Sequence, residues 1–315
     1  MNLPNEINQK LEEKYSSSNT KKLKEAANRI SNIYVEEFSN GGSISSREDI
    51  LAYAITRMPA TFSSISSALE YVLEFIEDDI TSVLDLGSGT GSSLLACSFL
   101  LKNHPFLTAV EKEKEMIELS KYLLEEYDSK EYLNLDMVNE YPIDKKSDLV
   151  IASYSLNELN KEQRIKTLDN IWLSANKYVL IVEPGTPNAS KEIKEIRQYF
   201  IDKGGYVIAP CPHCNKCMIE ESDWCHFSSR VQRSKLHKLI KQVDSPFEDE
   251  KYSYIAISKT PCNRCSSRVM RHPIETNGKV TLTVCDNTGV HKQDILKKEK
   301  DLYKKAKKIT NGDSF

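Results

Sequence analysis

Seven of the eight cysteines in this 315-residue chain fall between positions 211 and 285. They run Cys211-x-x-Cys214-x-x-Cys217, then Cys225, then Cys262-x-x-Cys265, then Cys285. Thiolates two residues apart can wrap one soft metal ion, because the intervening backbone turns and its N–H groups bond to sulfur. In a cytosolic protein such clustering argues for a metal before disulfides. By spacing alone, the natural arrangement is a four-cysteine zinc site pairing one of the first couples with Cys262 and Cys265. The first three cysteines also match the opening of a bacterial ferredoxin pattern. The eighth, Cys97, sits in an apolar run and reads as a buried structural thiol.

A second set of residues could hold a cofactor. Val83-Leu84-Asp85-Leu86-Gly87-Ser88-Gly89-Thr90-Gly91 ends an apolar strand pattern and opens a helical one. Glycines let such a loop turn sharply and approach a ligand closely. The dinucleotide spacing Gly-x-Gly-x-x-Gly would need glycine at 92, where Ser92 stands. The loop instead resembles motif I of class I S-adenosylmethionine (SAM)-dependent methyltransferases. That resemblance implies a cofactor seat formed by Asp85, Gly87, Gly89 and Gly91. It also implies Glu111 for the ribose hydroxyls and Asp136 for the adenine amino group. Taken singly, each acid reads as a solvated strand-end residue; in order behind this loop they form a set. Tyr154, Asn157 and Glu158 are candidates for lining the acceptor side. Catalytic residues are not legible: the fourth strand carries neither Asn/Asp-Pro-Pro-Tyr nor a Pro-Cys nucleophile.

These residues need a frame. Leu23 to about Glu77 shows helical spacing, as in Ala26 and Ile30 or Leu69, Leu73 and Ile76, broken at Gly41-Gly42 and Met58-Pro59. Strand-like runs then follow at Ser82–Leu86, Leu107–Glu111, Tyr132–Leu135, Leu149–Ser153 and Tyr178–Glu183. They alternate with helical stretches at Leu94–Leu101, Met116–Tyr127 and Gln163–Ser174. Such alternation predicts an α/β fold with a doubly wound, mostly parallel sheet. Tyr206–Ala209 and Tyr252–Ser258 read as its last strands, with the cysteine-rich segment inserted between them and a further strand at Val280–Val284. The expected organisation is an N-terminal helical segment (1–79), a Rossmann-like domain (80–210), a cysteine-rich metal-binding region (211–290) and a Lys-rich tail (291–315).

Charge is uneven. Residues 1–210 carry 23 Lys/Arg against 33 Asp/Glu, and residues 211–315 carry 20 against 13. A polyanionic partner would therefore dock at the C-terminal end. From His226 to Gln242 there are five Lys/Arg and no acid. Read as a helix, this stretch places Arg230, Arg233, His237 and Lys241 on one face, a clamp for RNA phosphates. No run approaches the roughly 18–20 apolar residues of a membrane helix. The opening stretch has neither secretory nor transit character, so a cytoplasmic location is expected.

Further stretches carry a closer resemblance. Cys211-Pro-His with Cys217, and Asp223-Trp-Cys-His-Phe-Ser-Ser-Arg-Val-Gln-Arg233, resemble the signature of the methyltransferase-like family tied to the small ribosomal subunit. Tyr53-Ala-Ile-Thr-Arg-Met-Pro-Ala-Thr-Phe62, Glu183-Pro-Gly-Thr-Pro187 and Arg268-Val-Met-Arg-His-Pro273 agree with it, as does Leu282-Thr-Val-Cys285. The resemblance covers about residues 50–290. It implies a class I methyltransferase fold and a [4Fe–4S] cluster on Cys211, Cys217, Cys225 and Cys285. It leaves Cys214, Cys262 and Cys265 outside the pattern, free to form a second zinc site or to substitute as ligands. The implied role is a SAM-binding factor, monomeric away from the ribosome, that binds small-subunit rRNA and assists assembly, with or without methyl transfer. Two alternatives stand beside it: an RNA or protein methyltransferase with a structural zinc, and a non-catalytic RNA-binding module with a vestigial fold.

Overall fold

Among the described residues, the chain opens with helices α1 (Asn5–Ser16), α2 (Thr20–Val35), α3 (Arg47–Thr56) and α4 (Met58–Leu73). The computed structural model describes residues 1–35, 44 and 46–315, so the Gly41-Gly42 break lies outside the described residues. Ser46 starts α3 by accepting a hydrogen bond from the Asp49 N–H (3.1 Å). Pro59 sits in the first turn of α4, where its missing N–H costs nothing.

The alternating stretch then follows in order. It comprises β1 (Ser82–Leu86), α5 (Ser92–Leu100), β2 (Phe106–Glu111), α6 (Lys114–Leu123), β3 (Lys130–Asn134), β4 (Ser147–Ser153), α7 (Lys161–Ser174), β5 (Ala175–Pro184) and α8 (Pro187–Asp202). Next come β6 (Tyr206–Ala209), β7 (Phe227–Gln232), α9 (Lys235–Lys241) and β8 (Phe247–Ser258). The sheet order is β3-β2-β1-β4-β5-β8-β6, with β7 also on β8. The first five strands are parallel, whereas β8 runs antiparallel between β5 and β6. The order reverses between β1 and β4, which opens a crevice at their carboxyl ends.

Side-chain alternation makes the layers. Leu149 and Ile151 of β4, with Leu180 and Val182 of β5, pack beneath α1–α6. Their neighbours Val150, Ala152, Val179 and Ile181 face α7 and α8 through Leu168, Ile171, Ile193 and Ile196. Apolar residues on both faces explain why these strands read as near-continuous hydrophobic runs.

The remaining chain forms β9 (Arg268–Val269), β10 (Ile274–Thr276), β11 (Lys279–Asp286), β12 (Gly289–Leu296) and α10 (Lys300–Ala306). They build a second, antiparallel sheet with its own core of Val269, Val280, Leu282, Val284, Ile295, Ala306 and Ile309. The Lys-rich 291–315 segment thus includes most of β12 and all of α10, packed on that core. No helix among the described residues is long and apolar enough to cross a membrane.

The proposed basic helix after Cys225 needs correction. Phe227–Gln232 is strand β7, in which Phe227, Ser229 and Val231 are buried and Arg230 and Gln232 point out. That period of two places Arg230 on a strand, apart from His237 and Lys241 on α9. The charges are also spent internally. Arg230 makes a bidentate pair with Asp249 (2.9 and 3.0 Å), and Arg233 and Lys241 share Glu248 Oε2 (2.8 and 3.2 Å). His237 is fully buried, and burial pulls its pKa down to about 4.

Candidate functional site

The crevice at the carboxyl ends of β1 and β4 holds a pocket of about 430 Å3. That size suits a small organic cofactor, for which pockets run about 300–1,000 Å3. Gly87, Ser88, Gly89 and Thr90 form one wall, with Glu111 and Asp136 from the ends of β2 and β3 beside them. Tyr53, Thr61 and Ile65 from α3 and α4 close it from the helical side.

The glycines do different work. Gly87 has φ +73°, and a Cβ there would lie 2.7 Å from Ser155 Cβ. A Cβ on Gly89 (φ +53°) would meet only Met116 Sδ, at 3.8 Å, so that position faces the open pocket. Glu111 Oε2 accepts from the Gly89 N–H and Oε1 from the Glu113 N–H, each at 2.9 Å. Burial raises the Glu111 pKa, and these amides oppose the rise. The Asp136 carboxylate accepts from the Val138 N–H (2.8 Å) and Asn139 Nδ2 (2.7 Å), which fixes the turn that lines the pocket.

Asp85 is placed differently. It is fully buried outside the pocket lining. Burial pushes its pKa up to about 7, with Ser93 opposing and Glu111 adding to the rise. Glu183, at the end of β5, is pushed up to about 8 by burial although Oε1 accepts from the Leu156 N–H (2.9 Å).

On the acceptor side, Tyr154 and Glu158 line the pocket and Asn157 does not. Tyr154 is held at φ +53°, a left-handed conformation unusual for a bulky residue. Its hydroxyl is bonded to Ser64 (2.8 Å) and Glu250 (3.4 Å), within a network anchored by the Arg57–Glu250 ion pair (2.9 Å). Burial raises the Glu158 pKa, and Lys112 opposes it.

A second, smaller cavity of about 50 Å3 lies between α8, the 210–226 loop and β11. Cys211, Cys217, Cys225 and Cys285 all line it, and Cys214, Cys262 and Cys265 do not. Burial pushes the Cys225 thiol well up, and Cys211, Cys217 and Cys285 push it further. Cys285 is raised to about 12, first by burial, then by Cys211 and Cys217. Cys265 also raises both Cys211 and Cys285, from outside the cavity lining. Among the described residues, no three His, Cys, Asp or Glu side chains are grouped closely enough to hold a single metal ion.

The other cysteines have separate places. Cys214 Sγ accepts from the Val207 N–H (3.4 Å) and from Arg264 (2.9 Å), while the Cys262 thiol donates to the Val207 carbonyl (3.8 Å). Both therefore cap the free edge of β6. Cys265 donates to the Pro210 carbonyl (3.9 Å).

The motif blocks interlock around the four-thiol cavity. Trp224 Nε1 donates to the Gly185 carbonyl (2.9 Å), and Arg271 binds Asp223 (2.5 Å) and the Trp224 carbonyl (3.0 Å). Ser190 and Ser253 fix the Cys225 carbonyl (2.9 and 2.7 Å). Sequence reasoning missed Arg197 of α8, whose Nε lies 3.3 Å from Cys211 Sγ. The available signal was its place on the apolar stripe Ala189, Ile193, Ile196, Phe200.

Residues 47–315 match the model of the family described as mitochondrial small ribosomal subunit Rsm22. Two Schizosaccharomyces pombe relatives, the mitochondrial Rsm22-cox11 tandem proteins 1 and 2, are 25% identical over 84% of this chain. The chain spans only 43% of their length. The carboxy-S-adenosyl-L-methionine synthase of Helicobacter hepaticus is 32% identical over 126 residues, 40% of this chain and 52% of that protein. A solved structure, the magnesium protoporphyrin IX methyltransferase of Synechocystis, is 9% identical with a TM-score of 0.41, covering 75% of this chain and 97% of that one.

Proposed function

The chain belongs to the mitochondrial small ribosomal subunit Rsm22 family, and from that premise we propose that it is a SAM-binding, iron–sulfur-containing factor that docks on small-subunit rRNA and assists assembly. The observation that carries this reading is the convergence of Cys211, Cys217, Cys225 and Cys285 on one cavity. A [4Fe–4S] group takes its ligands at separate corners, so it suits thiols arranged around a space rather than drawn to one point. The donor set is all sulfur, which fits iron–sulfur or zinc and disfavours hard cations. Bound there, the group would tie the 210–226 loop to β11.

The glycine-loop pocket supports SAM as the second cofactor. Gly89 leaves room for a ligand, Glu111 ends β2 with an acid held by two backbone amides, and the turn at Asp136 forms an adjoining wall. For the RNA contact, the C-terminal sheet offers the better surface. Between 292 and 308 stand eight lysines and three acids. Lys292, Lys297, Lys298, Lys300 and Lys308 are exposed and form no ion pair among the described residues. Phosphate neutralisation by such lysines gives affinity without sequence reading.

The deciding test is iron, zinc and acid-labile sulfide per chain on protein purified without oxygen. About four irons with matching sulfide support the reading. Stoichiometric zinc without sulfide would replace it with a zinc-stapled methyltransferase. Calorimetric titration with SAM tests the pocket separately.

A further inference from the structure

Among the described residues, two guanidiniums are buried without an ion-pairing carboxylate. Arg197 is 3% exposed and Arg268 is fully buried. Arg197 Nη2 donates to the carbonyls of His213 and Asn215, both at 2.8 Å. Arg268 donates to the carbonyls of Pro210 (3.1 Å) and Gly312 (2.8 Å), and its charge also acts on the neighbouring Cys265 thiol, lowering a pKa that burial raises. The rings of Tyr71 and Phe75 lie 5.3 and 5.9 Å from the Arg268 guanidinium carbon. Glu74 acts on Arg268 from beyond ion-pair distance, and its carboxylate accepts from Ser314. Neutral carbonyls and ring faces do not cancel a buried charge, and each uncompensated ion costs several kcal/mol.

Both side chains line the cavity of the four cysteines. Arg197 reaches Cys211 Sγ directly. Arg268 sits opposite Cys285 in the β9–β11 register and clamps the backbone just before Cys211. We infer that Arg197 and Arg268 are the built-in counter-ions of an anionic metal–thiolate group in this cavity, holding it and setting its charge state. Four thiolates around a doubly positive iron–sulfur core leave a double negative charge, which two guanidiniums balance. The inference rests on the iron–sulfur reading of this cavity, because no three of the described side chains are grouped closely enough to hold a single metal ion.

The test compares the full chain with Arg197→Met and Arg268→Met, which keep length and remove charge, and with Arg197→Lys and Arg268→Lys, which keep charge. The readouts are metal and sulfide per chain, metal loss to a chelator and, if iron is present, the midpoint of its reduction followed by paramagnetic resonance. The Met variants should retain the centre roughly 10–100-fold less tightly, the range for losing a partner of a metal ligand. Their midpoint should move to lower potential, and the Lys variants should recover most of both effects. Melting of the metal-free proteins gives the opposite sign: without the anion, the Met variants should be at least as stable as the parent. Met variants that hold metal like the parent overturn the counter-ion role, as does a metal-free Met variant that is strongly destabilised. A parent chain that takes up no iron with sulfide overturns the cofactor reading together with this inference.

Discussion

Glu111 Oε2 accepts a hydrogen bond from the Gly89 N–H at 2.9 Å, so the end of β2 holds the middle of the glycine loop from below. The pocket wall is thus shaped before any ligand arrives, and both residues can be tested by binding.

Gly89→Val should abolish measurable SAM binding. Its side chain would enter the open pocket, and a β-branched residue at φ +53° adds roughly 1–2 kcal/mol of strain. Gly91→Ala should instead lower the melting temperature, because its Cβ would lie 2.6 Å from Ser120 Oγ and 2.7 Å from Leu124 Cδ1. Calorimetry and thermal melts on both variants separate the two roles, and unchanged SAM affinity in Gly89→Val would remove the site assignment.

Buried carboxyls set a pH dependence. Asp85 has a folded pKa of about 7 against an ordinary 3.8, so the native chain binds more protons than the unfolded one between those values. Stability from this group therefore falls as pH rises from about 4 to 7 and is level above. Glu183 acts in the same direction from 4.5 to about 8. Asp85→Asn should leave stability at pH 4 nearly unchanged and raise it above pH 7 by roughly 1–4 kcal/mol, the ceiling being about 1.36 kcal/mol per unit. Denaturant melts across this range provide the check, and a constant difference at all pH values would contradict it.

Cys225→Ser and Cys262→Ser should part company. The first removes a thiol from the cavity and should strip the metal and loosen the 210–226 loop. The second disturbs only the edge of β6 and should leave metal content intact. If metal content falls with Cys262 and survives loss of Cys225, the site is the one that spacing alone suggested.

Charge reversal locates the RNA surface. Lys297→Glu with Lys298→Glu should weaken binding to a small-subunit rRNA fragment and flatten its salt dependence, by about 0.7–0.9 in log–log slope for each lost phosphate contact. Arg230→Glu should act less, because that side chain is already paired with Asp249. Arg233→Glu should destabilise the fold, since it sets a second acid against the half-buried Glu248. Filter binding at several salt concentrations distinguishes these outcomes.

The strand–helix alternation was legible because β1, β2, β4 and β5 are apolar on both faces. Strand β7 was not, since Ser229 interrupts its buried side between Phe227 and Val231, and the spacing of Arg230 from the cations that follow it imitates a helix. The first half of β8, Phe247–Lys251, is polar and pairs only with β7, so the sequence marks just the buried half. The glycine loop and its acids announced themselves through backbone chemistry. The four thiols needed the family pattern, because their cavity joins segments whose spacing carries no geometric information. Arg197 escaped notice among Lys191, Lys194 and other charges of α8, although it lies on that helix's buried side.

Strand β8 fixes an order of events in the making of this protein. It lies between β5 and β6, yet it is synthesised after both. A chain emerging N-terminus first must leave the edge of β5 open until residue 258 exists. During that interval β6 has no native neighbour, and the exposed edge invites the wrong strand. Cys285 emerges sixty residues after Cys225. The four-thiol cavity therefore closes only after every strand of the large sheet has been made, and any metal it holds is installed after them rather than guiding the sheet into place.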